Sequence, residues 1–268
     1  MRYAVTIGAA GESRDPRTMA DLAALAEQSG WDGIFLEDYL VYRGQAAMPA
    51  YDPWIVLAAM AMATARIRLG TNVTPLPRRR PWKLASEAVT LDHLSGGRLV
   101  LGVGLGDLAD PGFAAVGECT DRRTQAELLD EGLAVVAGLW SGEEVTFEGR
   151  HRVVRGLRLA ATPVQRPRIP VWIGGDWKVG GVRRRVVRWD GCQLMNVTSA
   201  DDVRAVLSLV ERERGTASGF DVAVPRQQGM ARLAALAEAG ATWSNDWIPP
   251  ADLETTRRAI QRGPLRVC

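Results

Sequence analysis

Glu37, Asp38 and Tyr39 follow directly on the apolar run Ile34-Phe35-Leu36. Two carboxylates and a phenol arriving together where a buried strand ends can hold, give or take protons at the edge of a core. Asp107 is a fourth group of this kind, and it closes the glycine-rich stretch GVGLGD (102–107). Without a Cβ, Gly102, Gly104 and Gly106 suit close approach of the backbone to something flat or bulky. The spacing is not that of a dinucleotide fingerprint. A third glycine would have to stand where Asp107 stands, and the following LADPGF reads as a loop instead of a helix. A second glycine-rich stretch, GGDWKVGGVRRR (174–185), joins a strand end to a helix start. Converging amides around Gly174, Gly175 and Asp176 could hold a phosphate without metal, with charge added by Lys178 and Arg183, while Trp177 offers a ring for stacking.

Other chemistries lack their residues. The only histidines are His93, inside a helical pattern, and His151, in a hairpin pattern, so neither a clustered metal site nor a Ser-His-Asp triad is expected. Cys119, Cys192 and Cys268 show no CxxC spacing, which disfavours zinc and a disulfide framework. The run TPLPRRRPW (74–82) is too short and isolated to read as nucleic-acid binding. It reads as a stiff loop whose arginines pair with neighbours or solvent.

The elements that must position these groups alternate along the chain. Strand-like runs occur at 3–8, 32–37, 67–73, 98–104, 169–175, 190–195, 220–224 and 241–248. Helical patterns fall at 15–30, 52–64, 81–97, 121–140, 179–189, 199–215, 230–240 and 250–262, two of them opened by Asp-Pro as N-cap and first residue. The strands are short, branched and apolar throughout, as buried parallel strands are. The segment 143–159 alternates like a hairpin instead. Eight strand–helix units predict an α/β fold: a (β/α)8 TIM barrel as a single domain over 1–268, with a short hairpin-like insertion between strands 4 and 5. A doubly wound open sheet is the competing architecture, but the first strand lacks its glycine fingerprint. In a barrel the chemistry sits at strand C-termini, which is where Asp38, Tyr39, Thr71–Val73, Asp107 and Gly174–Trp177 fall.

The 268 residues carry a net charge of +2, with 47% hydrophobic and 24% charged residues, an ordinary soluble composition with no overall basic field for nucleic acid. No apolar run reaches the about 18 residues of a membrane span, and the N-terminus lacks a long apolar leader, so a cytoplasmic protein is expected. A barrel with a phosphate-type loop, few proton-transfer groups and no metal or nucleophile suits an organic cofactor that brings its own chemistry.

The motifs resemble, in order and over nearly the whole chain, the luciferase-like flavin-dependent oxidoreductase (bacterial luciferase-like monooxygenase) family. The matching pieces are LAALAEQSGWDGIFLEDYL, ARIRLGTNVTPLPRRRPWKLASEAVTLDHLSGGRLVLGVGLGD, LLDEGLAVVAGLWSGEEVTFEGRHRVV, PVQRPRIPVWIGG and VVRWDGCQLM. The resemblance implies FMN, or alternatively a 5-deazaflavin (coenzyme F-420), bound at the strand C-termini, and a small organic substrate. It also implies a homodimer and, for FMN, a separate reductase supplying reduced cofactor. It carries a bulge or non-prolyl cis peptide behind the isoalloxazine ring over to Thr71, Asn72 and Val73. It assigns the phosphate-binding segment to Gly174, Gly175 and Asp176, a proton-transfer role to Asp107, and a place beside the ring to Asp38 and Tyr39. Two departures stand out. Many relatives have histidine where this chain has Tyr39, and the chain is short after strand six. A phenol of pKa about 10 donates a hydrogen bond where a histidine would titrate. The alternative reading is therefore a non-catalytic flavin-binding or interaction protein.

Overall fold

The computed structural model describes residues 1–12, 14–226 and 229–267. Cys119 and Cys192 are free thiols, and Cys268 lies outside the described residues. In chain order the strands are β1 (Arg2–Gly8), β2 (Gly33–Glu37), β3 (Arg68–Thr71), β4 (Thr74–Pro75), β5 (Leu99–Gly104), β6 (Val145–Glu148), β7 (Val153–Leu157), β8 (Val171–Gly175), β9 (Gly191–Leu194), β10 (Asp221–Pro225) and β11 (Trp243–Ile248). All except β6 and β7 form one parallel sheet that runs β3-β2-β1-β11-β10-β9-β8-β5-β4 and closes on itself through β3–β5 pairing. Since β4 continues the line of β3, this is an eight-stranded barrel. Helices α1 (Pro16–Gln28), α2 (Pro53–Met62), α3 (Pro81–Ser95), α4 (Arg122–Trp140), α5 (Gly180–Val186), α6 (Ala200–Arg214), α7 (Met230–Glu238) and α8 (Leu253–Gln261) connect the strands.

The helix starts follow their sequence signals. Asp15 and Asp52 each accept two backbone N–H bonds ahead of Pro16 and Pro53, and Ser199 with Asp202 makes a reciprocal capping box. The strands sort their side chains with period two. Val5, Ile7, Ile34, Leu36, Leu69, Leu99 and Leu101 point outward into the apolar layer under the helices. Ala4, Phe35, Val100, Trp172, Ala223 and Trp243 point inward and plug the barrel. Three of these are large rings: Phe35, Trp172 and Trp243 lie with centroids 5.5, 6.2 and 5.4 Å apart. Glycines opposite them make the room, since a Cβ at Gly191 would come within 2.6 Å of the Trp172 ring and one at Gly33 within 3.0 Å of Trp243. Arg2 closes the lower end over Trp243 at 4.4 Å.

The third expected strand, 67–73, is not continuous. It stops at Thr71, the Asn72–Val73 peptide bond is cis, and pairing resumes at Thr74 on β5. The expected hairpin is present as β6 and β7, an antiparallel pair between α4 and β8. Glu131 of α4 fixes its turn by accepting from the backbone N–H groups of Arg150, His151 and Arg152 at 2.7, 3.0 and 2.8 Å.

Candidate active site

At the end of β2 the chain's alternation decides what each acid does. Phe35 points into the barrel, so Glu37 does also, and Asp38 points out. Glu37 accepts from the Tyr42 hydroxyl at 2.8 Å and from Arg43 at 3.1 Å. It pairs within the loop that follows its own strand, and not outward. Asp38 meets the loop after β4. Its carboxylate takes Arg78 at 3.1 Å and Arg79 at 2.8 Å, and its side chain is 2% exposed. Arg78 also ion-pairs with Asp110. Asp110 in turn accepts from the backbone N–H groups of Leu40, Val41 and Gly112 at 2.9, 3.1 and 2.8 Å. Arg78 and Arg79 of TPLPRRRPW are thus paired to neighbours, and their partners include one of the acids singled out for chemistry, while Arg80 lies over Trp82 at 6.0 Å.

Tyr39 turns the other way. Its hydroxyl donates to Asp107 Oδ2 at 3.2 Å, joining two candidates 68 residues apart in the chain. The Asp107 Oδ1 accepts from the Ala109 N–H at 3.0 Å, which fixes the carboxylate. Tyr39 packs edge-on against Tyr42 with centroids 5.1 Å apart. Burial, then the charges of Asp107 and Glu37, push the Tyr39 phenol up to about 12, so it is a protonated donor throughout the neutral range.

Between β3 and β4, Val73 faces three glycines. A Cβ at Gly174 would come within 2.5 Å of Val73 Cγ1, one at Gly104 within 2.9 Å of Cγ2, and one at Gly102 would collide with the Thr71 carbonyl. The missing Cβ atoms of GVGLG and GGDW therefore first admit the protein's own bulge. Gly106, at φ 81°, needs glycine for its backbone and for the closeness of Pro75. Gly174→Ala is expected to overpack this junction and lower stability by about 1–3 kcal/mol. Chemical denaturation should detect the loss, and the added change Val73→Ala should recover most of it.

Thr71 donates to the Gly102 carbonyl at 2.8 Å and accepts from Thr74, so it is structural. Asn72 instead reaches inward, donating to the Thr6 hydroxyl at 3.3 Å. Asn245 donates to the same hydroxyl at 2.8 Å and accepts its proton at 2.9 Å. These three sit one layer above the aromatic plug. Each amide spends one N–H on Thr6, and among the described residues nothing accepts the second. Thr6 and Asn245 were not legible as site residues beforehand. Their only signal is a polar residue at an inward position of an otherwise apolar strand.

Around β8, Asp176 accepts from the Lys178 N–H at 2.8 Å, and its hydrogen bonds, led by that with Asn196, hold its carboxyl below the usual range. Arg183 lies over Trp177 at 5.8 Å. The α5 helix spans seven residues and has no side-chain cap.

A recess of about 310 Å³ opens beside Tyr39, between the loop after β2, the Arg78–Arg79 turn and the loop after β5. That is the size of a small-ligand site.

A closed parallel barrel with a phenol–carboxylate pair at the C-terminal ends of its strands places the chain in the class of (β/α)8 barrel proteins. The chain belongs to the luciferase-like monooxygenase family, whose model matches residues 2–263. It is 34% identical over 172 residues to an F420-dependent glucose-6-phosphate dehydrogenase of Microbacterium testaceum, covering 63% of this chain and 49% of that one. The chain thus spans about half the length of such curated relatives. Its fold is similar to an F420-dependent secondary alcohol dehydrogenase in complex with an F420-acetone adduct, with TM-score 0.78, 16% identity and 97% of each chain covered. It is also similar to the oxygenating constituent of 3,6-diketocamphane monooxygenase from Pseudomonas putida in complex with FMN. There the TM-score is 0.63, the identity 16%, and 85% of this chain and 67% of that one are covered.

Proposed function

We propose that this chain is a flavin- or deazaflavin-dependent oxidoreductase acting on a small organic substrate at the C-terminal mouth of its barrel. The observation that carries the reading is the Tyr39–Asp107 hydrogen bond at the C-terminal ends of the strands. The residues present fit a flat heteroaromatic ring. Asn72 and the Thr6–Asn245 pair would meet its polar edge, Val73 would back its face, and Gly174, Gly175, Asp176 and Trp177 would border the side chain that leaves the ring. When bound, the cofactor supplies the hydride or oxygen chemistry. Tyr39 and Asp107 hold the proton at the phenol oxygen and the carboxylate. Asp38, closed off by two arginines, positions the loop that carries Tyr39.

Curated relatives named for F420 support the deazaflavin, and a fold neighbour in complex with FMN is compatible with FMN. Ile55 and Met62, 67% and 71% exposed on α2, favour a homodimer, and with FMN a separate reductase would supply the reduced form. No described helix is long and apolar enough to cross a membrane. Fluorescence titration with FMN and with the deazaflavin tests the proposal. Micromolar binding of one of them, about −8 kcal/mol, is expected, and binding of neither would refute it. Binding without turnover of any substrate would favour the non-catalytic flavin-binding protein.

A further inference from the structure

The recess beside Tyr39 has walls from two loops that are bonded to each other. Leu40 comes from the loop after β2 and Val116 from the loop after β5. They are 58% and 59% exposed, and both line this one recess. Asp110 locks the two loops, because its carboxylate holds the Leu40 and Val41 amides on one side and the Gly112 amide on the other. Gly112 allows the approach, since a Cβ there would come within 2.8 Å of the Leu40 Cβ. Large apolar side chains held open at a preformed concavity are a ligand surface.

The charges around it select the ligand. Asp38, Asp52 and Glu118 line the recess with Arg78 and Arg79. Arg78 is already divided between Asp38 and Asp110, and Arg79 is held by Asp38 at 2.8 Å with Asp52 at 3.8 Å. Asp107 stands across Tyr39. Both lining arginines are therefore ion-paired, and the three lining carboxylates outnumber them, so a phosphate dianion meets repulsion. Tyr39 lines the recess and gives its proton to Asp107, which leaves the phenol oxygen free to act as an acceptor.

From this we infer that the substrate recess takes a neutral, apolar alcohol, whose hydroxyl donates to Tyr39 and whose hydrocarbon part rests on Leu40 and Val116, and that it rejects sugar phosphates. The assignment of this ligand as substrate rests on the function proposed above. It separates this chain from the sugar-phosphate chemistry in the names of its longer relatives.

Fluorine NMR titration of para-fluorobenzyl alcohol and para-fluorophenyl phosphate against the wild type and the double variant Leu40→Ser/Val116→Ser tests it. Both changed residues are surface-exposed, so the variant is expected to fold. The alcohol should bind the wild type at least about tenfold more tightly than the phosphate does, and the double variant should weaken the alcohol about tenfold. Equal or tighter binding of the phosphate, no binding of the alcohol, or an unchanged affinity in the variant would each overturn the inference. The cofactor titration is run on the same samples. Loss of cofactor binding with the alcohol result intact would remove the proposed function and leave the recess assignment standing.

Discussion

Asp107→Asn is expected to lower turnover by about 10²–10⁴-fold while changing cofactor affinity little, because the amide keeps the carboxylate's shape and cannot take a proton. The residue is placed for that role by two bonds, one from Tyr39 and one from the Ala109 amide, which hold both oxygens in a fixed direction. Tyr39→Phe should cost less, since it removes the donor and leaves the base. Turnover measured with saturating cofactor, together with a cofactor titration of each variant, distinguishes a lost proton step from a lost ring site. Full activity in Asp107→Asn would move the proton chemistry elsewhere. The pH dependence carries the same logic. The Tyr39 phenol is raised to about 12 from the ordinary 10, by burial first and then by Asp107 and Glu37. A raised phenol contributes stability that is complete below pH 10 and is lost as pH climbs from 10 to about 12, because only the unfolded chain ionises in that window. Tyr39→Phe should therefore flatten the alkaline fall in stability. Tyr39→His should instead introduce a titration near pH 6–7 into the activity profile, which the wild-type phenol does not provide.

The two carboxylates that adjoin Tyr39 show how far the chain alone could be read. Their position at a strand end and at the barrel mouth followed from apolar runs alternating with capped helices, and the structure reproduces those elements to within a few residues. What each acid does depended on a contact between residues far apart in sequence. Asp38 and Tyr39 are neighbours, yet Asp38 binds Arg78 and Tyr39 binds Asp107. Period-two alternation from Phe35 already points Asp38 outward, so half of that answer lay in the pattern. Its arginine partners, 40 residues on, did not. The glycines of GVGLG were legible as places where something bulky approaches, and those of GGDW were read as a phosphate cradle. That the bulk is Val73 was not, since nothing local fixes the turn at which β3 breaks and β4 resumes. Thr6 and Asn245 escaped for the same reason. They lie 239 residues apart and become a pair only when β1 and β11 close the barrel.

Arg78→Met is expected to be the most destabilising single change at the site, by about 3–5 kcal/mol, because it leaves buried carboxylates without their cation. Arg78 is 9% exposed in its side chain and serves two acids, Asp38 and Asp110, each 2% exposed. Arg79→Met should cost less, as Asp38 would retain Arg78 while Asp110 would be untouched. The pH dependence separates the acids. Burial acts to raise the Asp110 carboxyl, but the Arg78 hydrogen bond and those from the Leu40, Gly112 and Val41 amides outweigh it and hold it below its ordinary 3.8. A depressed carboxyl contributes stability that is present above the unfolded value and lost as pH falls through the folded one, so the wild type should resist acid down to below pH 4. In Arg78→Met that resistance should shrink. The double variant Arg78→Met/Asp110→Asn should recover part of the stability relative to Arg78→Met alone, since it removes one stranded charge and keeps an oxygen that accepts the Val41 and Gly112 amides, while the bond from Leu40 is lost. Denaturation midpoints of the three variants at pH 4 and pH 7 measure both effects. Recovery accompanied by a still-open recess would mean that Asp110 shapes the substrate wall through its amide bonds, while Arg78 only neutralises it.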